Sequence, residues 1–287
     1  MQIPSRGYNR HWSIAKEIVV PIPPIEIQNE IVNILDKFTE LEAELEAELE
    51  AELEARRKQY EHYRDKLLKF SNFDGGGYSE TVKWCKLGDL GVFIRGNGLQ
   101  KKDFTEQGVG CIHYGQIYTL YGTFTESTKS FVSPELAERL VKVEKGDIVI
   151  ACTSENIEDV CKSVAWLGDN TIVTGGHATV FKHKQNSKYI AYYFQTQMFA
   201  EQKRKYARGT KVIDIKASDI GKIMIPIPPM AEQQRIVDIL DKFEVLVNDI
   251  SEGLPAEIAA RRQQYEYYRD KLLTFKRKEN GKIQPCS

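Results

Sequence analysis

The chain has 287 residues, 41% of them hydrophobic and 28% charged, which allows one large or two ordinary folded domains. No run of about 18 apolar residues occurs, which excludes a membrane-spanning helix. The formal net charge of −1 conceals a segregation, because residues 79–222 hold 20 Lys+Arg and 16 Asp+Glu (net +4) and the remainder holds 20 and 25 (net −5). A basic, aromatic middle segment favours a polyanionic partner.

The cysteines and the first residues set two further expectations. The five cysteines are odd in number and form no CxxC pair, so we expect free thiols in a reducing compartment, the cytoplasm, and neither disulfides nor a zinc site. Residues 1–23 are predicted to form a short leader. It ends in a proline-rich segment, residues 21–24, which enforces an extended entry into the next element.

A long helix is predicted over residues 24–73. Apolar residues recur there at the spacing of one helix face, and neither Gly nor Pro occurs between Glu26 and Phe73. We expect one helix of about 40 residues, roughly 60 Å long. Its middle, residues 41–55, is a four-residue Leu-Glu-Ala-Glu repeat whose leucines move about 40° around the helix per step, so two faces can pack against neighbours.

The glutamates of this repeat are separated by two and by four residues, and like charges at i,i+4 destabilise an isolated helix. Burial against a partner would compensate for this repulsion, whereas a solvated acidic rod is the alternative. Adding or removing one repeat would change the helix length by about 6 Å. The repeat is therefore expected to act as a ruler.

Residues 79–225 are predicted to form a separate α+β domain after a linker at residues 74–77. Short β-rich runs alternate there with Gly-rich turns. The predicted strands are Val92 to Ile94, Cys111 to Tyr114, Asp147 to Cys152, Ile172 to Thr174, Thr179 to Lys182 and Val212 to Ile215. Helices are predicted at Ser133 to Val141 and at Tyr189 to Tyr206.

The second predicted helical region, residues 229–276, repeats the first at a constant offset of 205 positions. The prolines return, and 13 of 16 residues are identical between residues 55–70 and 260–275. Below, residues 18–70 are called copy 1 and residues 223–275 copy 2. Gly253 and Pro255 are expected to break the second helix. Equal spacings within the copies favour an antiparallel pair of helices, and residues 277–287 form a basic tail.

Catalytic motifs are missing from the sequence. No GxxxxGK[ST] loop, HExxH, EF-hand loop or CxxC pair occurs. DNA amino-methyltransferases carry an Asn/Asp-Pro-Pro loop whose polar side chain faces the target amine. The prolines of both copies here follow Ile, which offers no such polar group. The Gly96–Gly98 segment opens no predicted helix and is more typical of a turn than of a cofactor site. We therefore expect no catalytic residue, no cofactor and no metal in this chain.

The middle domain carries polar and basic side chains of the types that contact DNA, and they cluster in predicted loops. Arg and Lys match guanine O6 and N7, Asn and Gln match adenine N6 and N7, and a dense basic stretch suits phosphates. For any single residue, a solvated surface position is an equal alternative. The DNA-binding candidates are Arg95, Asn97, Gln100, Lys101, Lys102, His113, Tyr114, Gln116, Tyr118, Ser154, Asn156, His177, Lys203, Lys205, Arg208, Thr210 and Lys211.

The apolar and aromatic stripes of both helices are candidates for packing against each other or against partner chains. Simple aromatic packing between the helix ends is the alternative for the tyrosines. The candidates are Leu41, Leu45, Leu49, Leu53, Tyr60, Tyr63, Leu67, Ile236, Leu240, Phe243, Tyr265, Tyr268 and Leu272.

Taken together, the chain resembles a specificity subunit of a type I restriction–modification system. The resemblance covers nearly the whole chain. It rests on the duplicated Ile-Pro-Ile-Pro-Pro…Ile-Leu-Asp-Lys-Phe block and its Arg-Arg…Tyr-Arg-Asp-Lys-Leu-Leu end. It also rests on the segments that open and close the middle domain, residues 84–89 and 209–215, and on the Leu-Glu-Ala-Glu spacer.

This resemblance implies that residues 79–225 are a target recognition domain for double-stranded DNA and that the helical copies dock methyltransferase subunits, with restriction subunits attached indirectly. Catalysis and S-adenosylmethionine would belong to the partner chains. Because full-length members carry two recognition domains, this chain resembles a half-length subunit. A homodimer would restore two domains and read a palindromic bipartite site.

Two alternatives remain open at this point. The chain could be a truncated competitor of a full-length specificity subunit, or a helical scaffold whose middle domain binds protein. A small stand-alone nuclease is disfavoured because no acidic cluster of the metal-binding type occurs in the sequence.

Overall fold

A computed structural model describes residues 20–70 and 82–275, and it describes the side chains of these residues except for 247–258. Most of the predicted leader, the glycine linker and the basic tail lie outside the described residues. The described chain divides into two compact units. The first unit contains residues 20–55 and 248–275, and the second contains 56–70 and 82–247.

The helices include two very long ones and six short ones among the described residues. In chain order they are α1 (Ile25–Leu68), α2 (Leu87–Leu90), α3 (Tyr114–Thr119), α4 (Pro134–Arg139), α5 (Ser187–Tyr193), α6 (Gln197–Arg204), α7 (Ala217–Ile220) and α8 (Met230–Leu273). A 3-10 turn lies at Lys101–Asp103. The long helices α1 and α8 have 44 residues each, and their ends are related by the same offset of 205 residues that relates the two copies.

Among the described residues, the strands all belong to the second unit. They are β1 (Lys83–Lys86), β2 (Gly91–Arg95), β3 (Val109–His113), β4 (Phe124–Thr125), β5 (Ser130–Val132), β6 (Val141–Val143), β7 (Ile148–Ala151), β8 (Thr153–Ser154), β9 (Ser163–Trp166), β10 (Ile172–Gly175), β11 (Ala178–His183), β12 (Ile213–Asp214) and β13 (Met224–Ile227). They form a five-stranded sheet in the order β2-β11-β7-β9-β4, a four-stranded sheet in the order β5-β3-β10-β6, and the two-stranded pairs β1-β13 and β12-β8.

The mixed α/β class and the predicted strands are confirmed. Each predicted β-rich run coincides with an observed strand, and strand β7 is buried along its whole length, as its continuous apolar run predicts. The helix predicted from Ser133 is also present, because the Ser133 side chain accepts a hydrogen bond from the Leu136 N–H and Pro134 occupies the first turn. Local sequence therefore determines these elements.

Two predicted features of the helices are wrong. Helix α8 continues through Gly253 and Pro255, which were expected to break it. An interior proline removes one backbone hydrogen bond at a cost of about 3 kcal/mol, and a 44-residue helix retains enough hydrogen bonds on both sides to persist. The helix predicted from Tyr189 to Tyr206 is instead two helices, because Thr196 accepts a hydrogen bond from the Phe199 N–H and starts α6 as its N-cap.

The core of the second unit joins the sheets to copy 2. Strand β1 pairs antiparallel with β13, which leads directly into α8, and Leu240 of α8 is fully buried in the same cluster as Tyr189 and Phe199. Tyr192 donates from its hydroxyl to the Asp241 carboxylate at 2.7 Å. The α/β part of this unit is therefore fastened to the first turns of α8 by both apolar and polar contacts.

A partly buried histidine, His183, predicts acid sensitivity of this unit. Burial lowers the pKa of His183 from its usual value to about 4, so the unfolded chain binds more protons than the folded one between about pH 6.5 and 4. Stability should therefore fall as the pH falls through this window, by about 2 kcal/mol at pH 5. Urea titrations at pH 7 and pH 5 measure this loss. His183→Gln should flatten the dependence, and an unchanged slope in the variant would assign the effect elsewhere.

Candidate nucleic-acid interface

Most of the predicted DNA-contacting loops meet at one edge of the second unit. His113, at the end of β3, pairs in register with Gly175, at the end of β10. Arg95, at the end of β2, pairs with Thr179 of β11, and the Cys152 N–H donates to the His177 carbonyl at 2.9 Å. Segments that are far apart in sequence thus bring their polar ends together, as loops at strand ends do in binding sites.

Two glycines permit the close approach of these loops. A Cβ atom on Gly175 would lie 2.1 Å from the carbonyl oxygen of Asn97, and one on Gly96 would lie 2.7 Å from the Cα of Gly175. Backbone atoms at such distances cannot move aside cheaply. The loop that holds Asn97 and Gln100 is therefore pressed directly against the end of β10.

His113 is held in one orientation at the start of α3. Its Nδ1 accepts a hydrogen bond from the Gly115 N–H at 3.1 Å, and the Gln116 side chain accepts from the His113 N–H at 2.9 Å. Burial, followed by the nearby charges of Lys101 and His177, lowers the pKa of His113. The ring is therefore neutral at pH 7, and because Nδ1 is an acceptor, the proton resides on Nε2.

A cavity of about 330 Å³ lies beside His113. Its walls combine a neutral imidazole, an aromatic ring, an exposed cation and glycine backbone. The Tyr114 ring stands edge-on to the His177 ring at a centroid distance of 5.0 Å. The lining residues are Gly98, Leu99, Gln100, Lys101, His113, Tyr114, Gly176 and His177.

A second group of candidates surrounds strand β12. Ser154 pairs with Ile213 across β8 and β12, and Arg208 forms a β-bridge with Asp214. The Arg95 guanidinium lies 3.9 Å from the Asp214 carboxylate, and both side chains are partly exposed. Exposed candidates in this group and the neighbouring loops are Asn97, Lys102, Asn156, Lys205, Arg208, Thr210 and Lys211.

Three candidates have structural roles in the interior. Gln116 is buried and donates to the Ser130 hydroxyl at 2.7 Å, and the Tyr118 hydroxyl donates to the Thr153 carbonyl at 2.7 Å. Lys203 is buried, and its Nζ donates to the carbonyls of Glu158 and Val160 at 2.6 and 2.7 Å. These side chains shape the loops, and we do not retain them among the proposed DNA contacts.

Asp103 and Asp214 are site residues that the sequence reasoning missed. The Asp103 carboxylate accepts from the Gln100 N–H at 2.8 Å and closes a capping box around the Lys101–Lys102 turn. The Gln-x-x-Asp spacing could have revealed this cap. No local signal points to Asp214, because it meets Arg95 only through the fold.

The helix candidates divide between the two units. In the first unit Leu41 is exposed, and Leu45, Leu49, Leu53, Tyr265 and Leu272 are partly buried. In the second unit Ile236 and Leu240 are buried in the core. Tyr63 stacks on Phe243 at a centroid distance of 5.7 Å, and Tyr60 and Leu67 pack against the same core.

Over the ranges that the structure describes, no group of three or more His, Cys, Asp or Glu residues is arranged to hold a metal ion. Within those same ranges, no helix has the length and hydropathy needed to cross a membrane. What the geometry assembles is a cleft of fixed hydrogen-bond donors, aromatic edges and exposed cations. This is the chemistry of polar and anionic ligands such as nucleic acid.

Comparison with known proteins agrees with this chemistry. The family model for the type I restriction modification DNA specificity domain matches residues 13–55 and 79–260. The chain therefore belongs to the family of type I restriction–modification DNA specificity domains. The recognition of this family from the duplicated motifs is confirmed.

Two curated relatives are similar over most of the chain. The EcoR124I/EcoR124II specificity subunit of Escherichia coli is 34% identical over 271 residues, covering 92% of this chain. A putative type I specificity subunit of Haemophilus influenzae is 36% identical over 271 residues, covering 91%. This chain spans 64% of the length of each relative, so about a third of each lies outside the match.

Solved structures share the fold. A chain from a study of complex assembly and conformational transition in a type I restriction–modification system aligns with a TM-score of 0.67 at 16% identity, covering 88% of this chain and 60% of that chain. The HsdS subunit of Thermoanaerobacter tengcongensis aligns with a TM-score of 0.54 at 16% identity over the same shares.

Proposed function

We propose that this chain is the DNA-recognition component of a type I restriction–modification complex. The observation that carries the proposal is the convergence of three polar loops, residues 98–101, 113–114 and 176–177, into one cleft, in a chain whose family is defined by DNA specificity. The chain supplies sequence reading and no catalysis. Methyltransferase subunits bind its helices, carry S-adenosylmethionine and connect it to the restriction subunits.

The cleft supports a division of labour between phosphate and base contacts. Exposed cations such as Lys205, Arg208 and Lys211 suit phosphates, which position a protein on DNA without reading sequence. The Nε2–H of His113 and the Lys101 ammonium are both donors, and two donors match the acceptors O6 and N7 of guanine in the major groove. The pocket beside His113 is therefore proposed to read a purine edge.

We further propose that α1 and α8 run antiparallel. In the first unit the Phe38 and Tyr268 rings stack at a centroid distance of 5.9 Å, and the Glu46 carboxylate lies 3.3 Å from the Arg262 guanidinium. Going forward along α1 from Phe38 to Glu46, the contacted residue of α8 therefore moves backward, from 268 to 262. In the second unit Tyr63 stacks on Phe243 at 5.7 Å. Phe243 and Tyr268 lie 205 positions after Phe38 and Tyr63, so they are the equivalent residues of copy 2. The same Phe–Tyr pair therefore occurs twice, once with the Phe from copy 1 and once with the Phe from copy 2.

The proposed working form is a half-length subunit that acts as a homodimer, since each chain carries one recognition domain and a bipartite site needs two. A two-fold arrangement would read a palindromic target. One leucine of the Leu-Glu-Ala-Glu segment supports an association surface. Leu41 is exposed, and a groove of about 390 Å³ runs beside it between Glu44 and Tyr265.

Methylation mapping tests the function. The chain is co-expressed with a cognate methyltransferase subunit in a host that lacks the system, and adenine methylation is mapped across the host genome. We expect a new bipartite motif that disappears with Arg95→Ala and persists with Arg139→Ala, a charge-matched change in α4. Light scattering of the same complex measures the number of chains, and a palindromic motif is expected from two copies.

Other outcomes favour other functions. DNA that stays unmethylated while the chain displaces a full-length specificity subunit would indicate a competitor. A folded complex without any DNA affinity would favour a protein-binding scaffold. Equal effects of Arg95→Ala and Arg139→Ala would exclude the proposed cleft as the reading surface.

A further inference from the structure

One apolar side chain is exposed within the basic stretch whose cations suit phosphates. Val212 is 58% exposed, and Arg208, Thr210 and Lys211 just before it are exposed as well. A valine offers neither a charge nor a hydrogen bond to a phosphate. If Val212 contacts a ligand at all, the contact must therefore be of a different kind from that of its neighbours.

Val212 lies in a tight hairpin, residues 208–214. The Arg208 N–H donates to the Asp214 carbonyl at 3.1 Å, and the Asp214 N–H donates to the Arg208 carbonyl at 2.8 Å, so residues 209–213 form the loop between them. Gly209 has a φ of +105°, and a Cβ atom there would lie 2.0 Å from the Val212 carbonyl oxygen. Only glycine at this position lets the loop fold back so closely, and residues 210–212 form its tip.

The second arm of the hairpin is fixed to the folded domain. Ile213 pairs with Ser154 across β12 and β8 and packs against the core of the second unit. Ile215 is fully buried, and its N–H donates to the Cys152 carbonyl at 3.1 Å. Because this anchor begins one residue after Val212, the valine is held in place, and little conformational entropy is lost when it meets a ligand.

The hairpin stands beside the cleft described above. The Asp214 carboxylate, at the base of the hairpin, lies 3.9 Å from the Arg95 guanidinium. The residue after Arg95 is Gly96, whose backbone lies against Gly175 at the end of β10. A ligand as large as a DNA duplex that occupies the cleft would therefore also reach the hairpin.

The surroundings of Val212 indicate which partner it meets. A protein surface could bury a valine, but the exposed cations of the same hairpin, Arg208 and Lys211, favour a polyanion. The major groove of DNA, about 12 Å wide, admits a two-stranded ribbon, whereas the minor groove, about 6 Å wide, must first be opened. On the base edges of the major groove, the apolar group is the C5-methyl of thymine.

We propose that Val212 reads thymine by packing against its C5-methyl group in the major groove, while Arg208 and Lys211 contact the adjoining phosphates. Val212 is then a specificity-determining residue, and its contact is separate from the purine contact of the pocket beside His113. This proposal rests on the proposed function, because it adds one base contact to the same DNA-reading surface.

Uracil substitution gives the test, because uracil pairs as thymine does and lacks only the methyl group. The complex of this chain with its methyltransferase subunit is titrated with the target that adenine methylation defines, which contains A·T pairs, and with the same duplex carrying uracil for every thymine. We expect Val212→Ala to weaken binding to the thymine duplex by about fivefold and to leave binding to the uracil duplex unchanged. The unmodified chain should lose at least this factor when uracil replaces thymine.

Val92→Ala is the matched control. Val92 is 63% exposed in β2, and the same substitution there should leave binding to both duplexes unchanged. Because both valines are exposed, neither variant should change the melting temperature of the chain.

Three outcomes contradict the proposal. An equal loss from Val212→Ala on both duplexes would show a contact with sugar or insertion into an opened minor groove, and no loss on either duplex would show no contact. If the unmodified complex bound no DNA, the proposed function itself would be wrong, and the thymine contact with it.

Discussion

Lys203→Met should lower the stability of the second unit by about 2 kcal/mol, whereas Lys205→Met, two residues further on, should leave stability unchanged. Lys203 is buried, and its ammonium donates hydrogen bonds to two backbone carbonyls. Methionine has no donor and would leave both carbonyls without these hydrogen bonds. For a domain of this size the loss corresponds to a fall of about 4–8 °C in melting temperature. Thermal unfolding followed by circular dichroism measures it.

For DNA binding we expect the opposite result, with an effect of Lys205→Met and none of Lys203→Met. Lys205 is exposed in the basic stretch proposed to contact phosphates, so Lys205→Met should reduce the slope of log affinity against log salt by about 1. Lys203→Met, assayed below its melting temperature, should keep the slope of the unmodified chain. If Lys203→Met reduced the slope and kept normal stability, the Lys203 side chain would be exposed in solution, contrary to the structure.

Gly175→Ala should weaken DNA binding by at least about tenfold, the second large effect that we expect. The added methyl group would lie 2.1 Å from the Asn97 carbonyl oxygen and 2.8 Å from the Leu99 Cβ. The loop that carries Asn97, Gln100 and Lys101 must then move, at a cost of about 1–3 kcal/mol. Fluorescence anisotropy with a methylation-defined target measures the affinity.

Gly122→Ala is the matched control for this change. Its added methyl group meets the Glu244 carboxylate at 3.6 Å, which is an ordinary contact. Binding and melting temperature should both stay at the values of the unmodified chain. If both alanine variants bound DNA normally, the packing of the loop against β10 would be irrelevant to DNA recognition. That result would contradict the proposal that this cleft contacts DNA.

Much of the fold follows from local patterns in the sequence. The uninterrupted polar and apolar periodicity after Pro24 predicted α1, and the apolar run after Asp147 predicted the buried strand β7. Both signals act within a few residues. The repeat at 205 positions predicted equal spacings in the two copies, and α1 and α8 have 44 residues each, although α8 was expected to break at Gly253 and Pro255.

The errors lie where local signals compete. Pro255 is a strong helix breaker, yet it remains inside α8, because a local cost of about 3 kcal/mol is small beside the hydrogen bonds of the whole helix. Thr196, by contrast, lies within an apolar, aromatic stretch whose pattern predicts one continuous helix. Its side chain competes successfully for the Phe199 N–H and divides one predicted helix into two.

For the candidate site, the sequence identified residue types and loops, and the tertiary structure decided which of them are available. Arg208 and Lys203 lie in one basic stretch, yet Arg208 is exposed, whereas Lys203 is buried and donates to two backbone carbonyls. Val32 and Val237 likewise occupy equivalent positions in a repeat, yet only Val237 is covered. Local periodicity predicted the strands and most of the helices of this protein, because these depend on neighbouring residues, and the duplicated motifs indicated its family. Exposure, pairing and the neutral state of His113 depend on contacts between distant segments, which only the folded chain brings together.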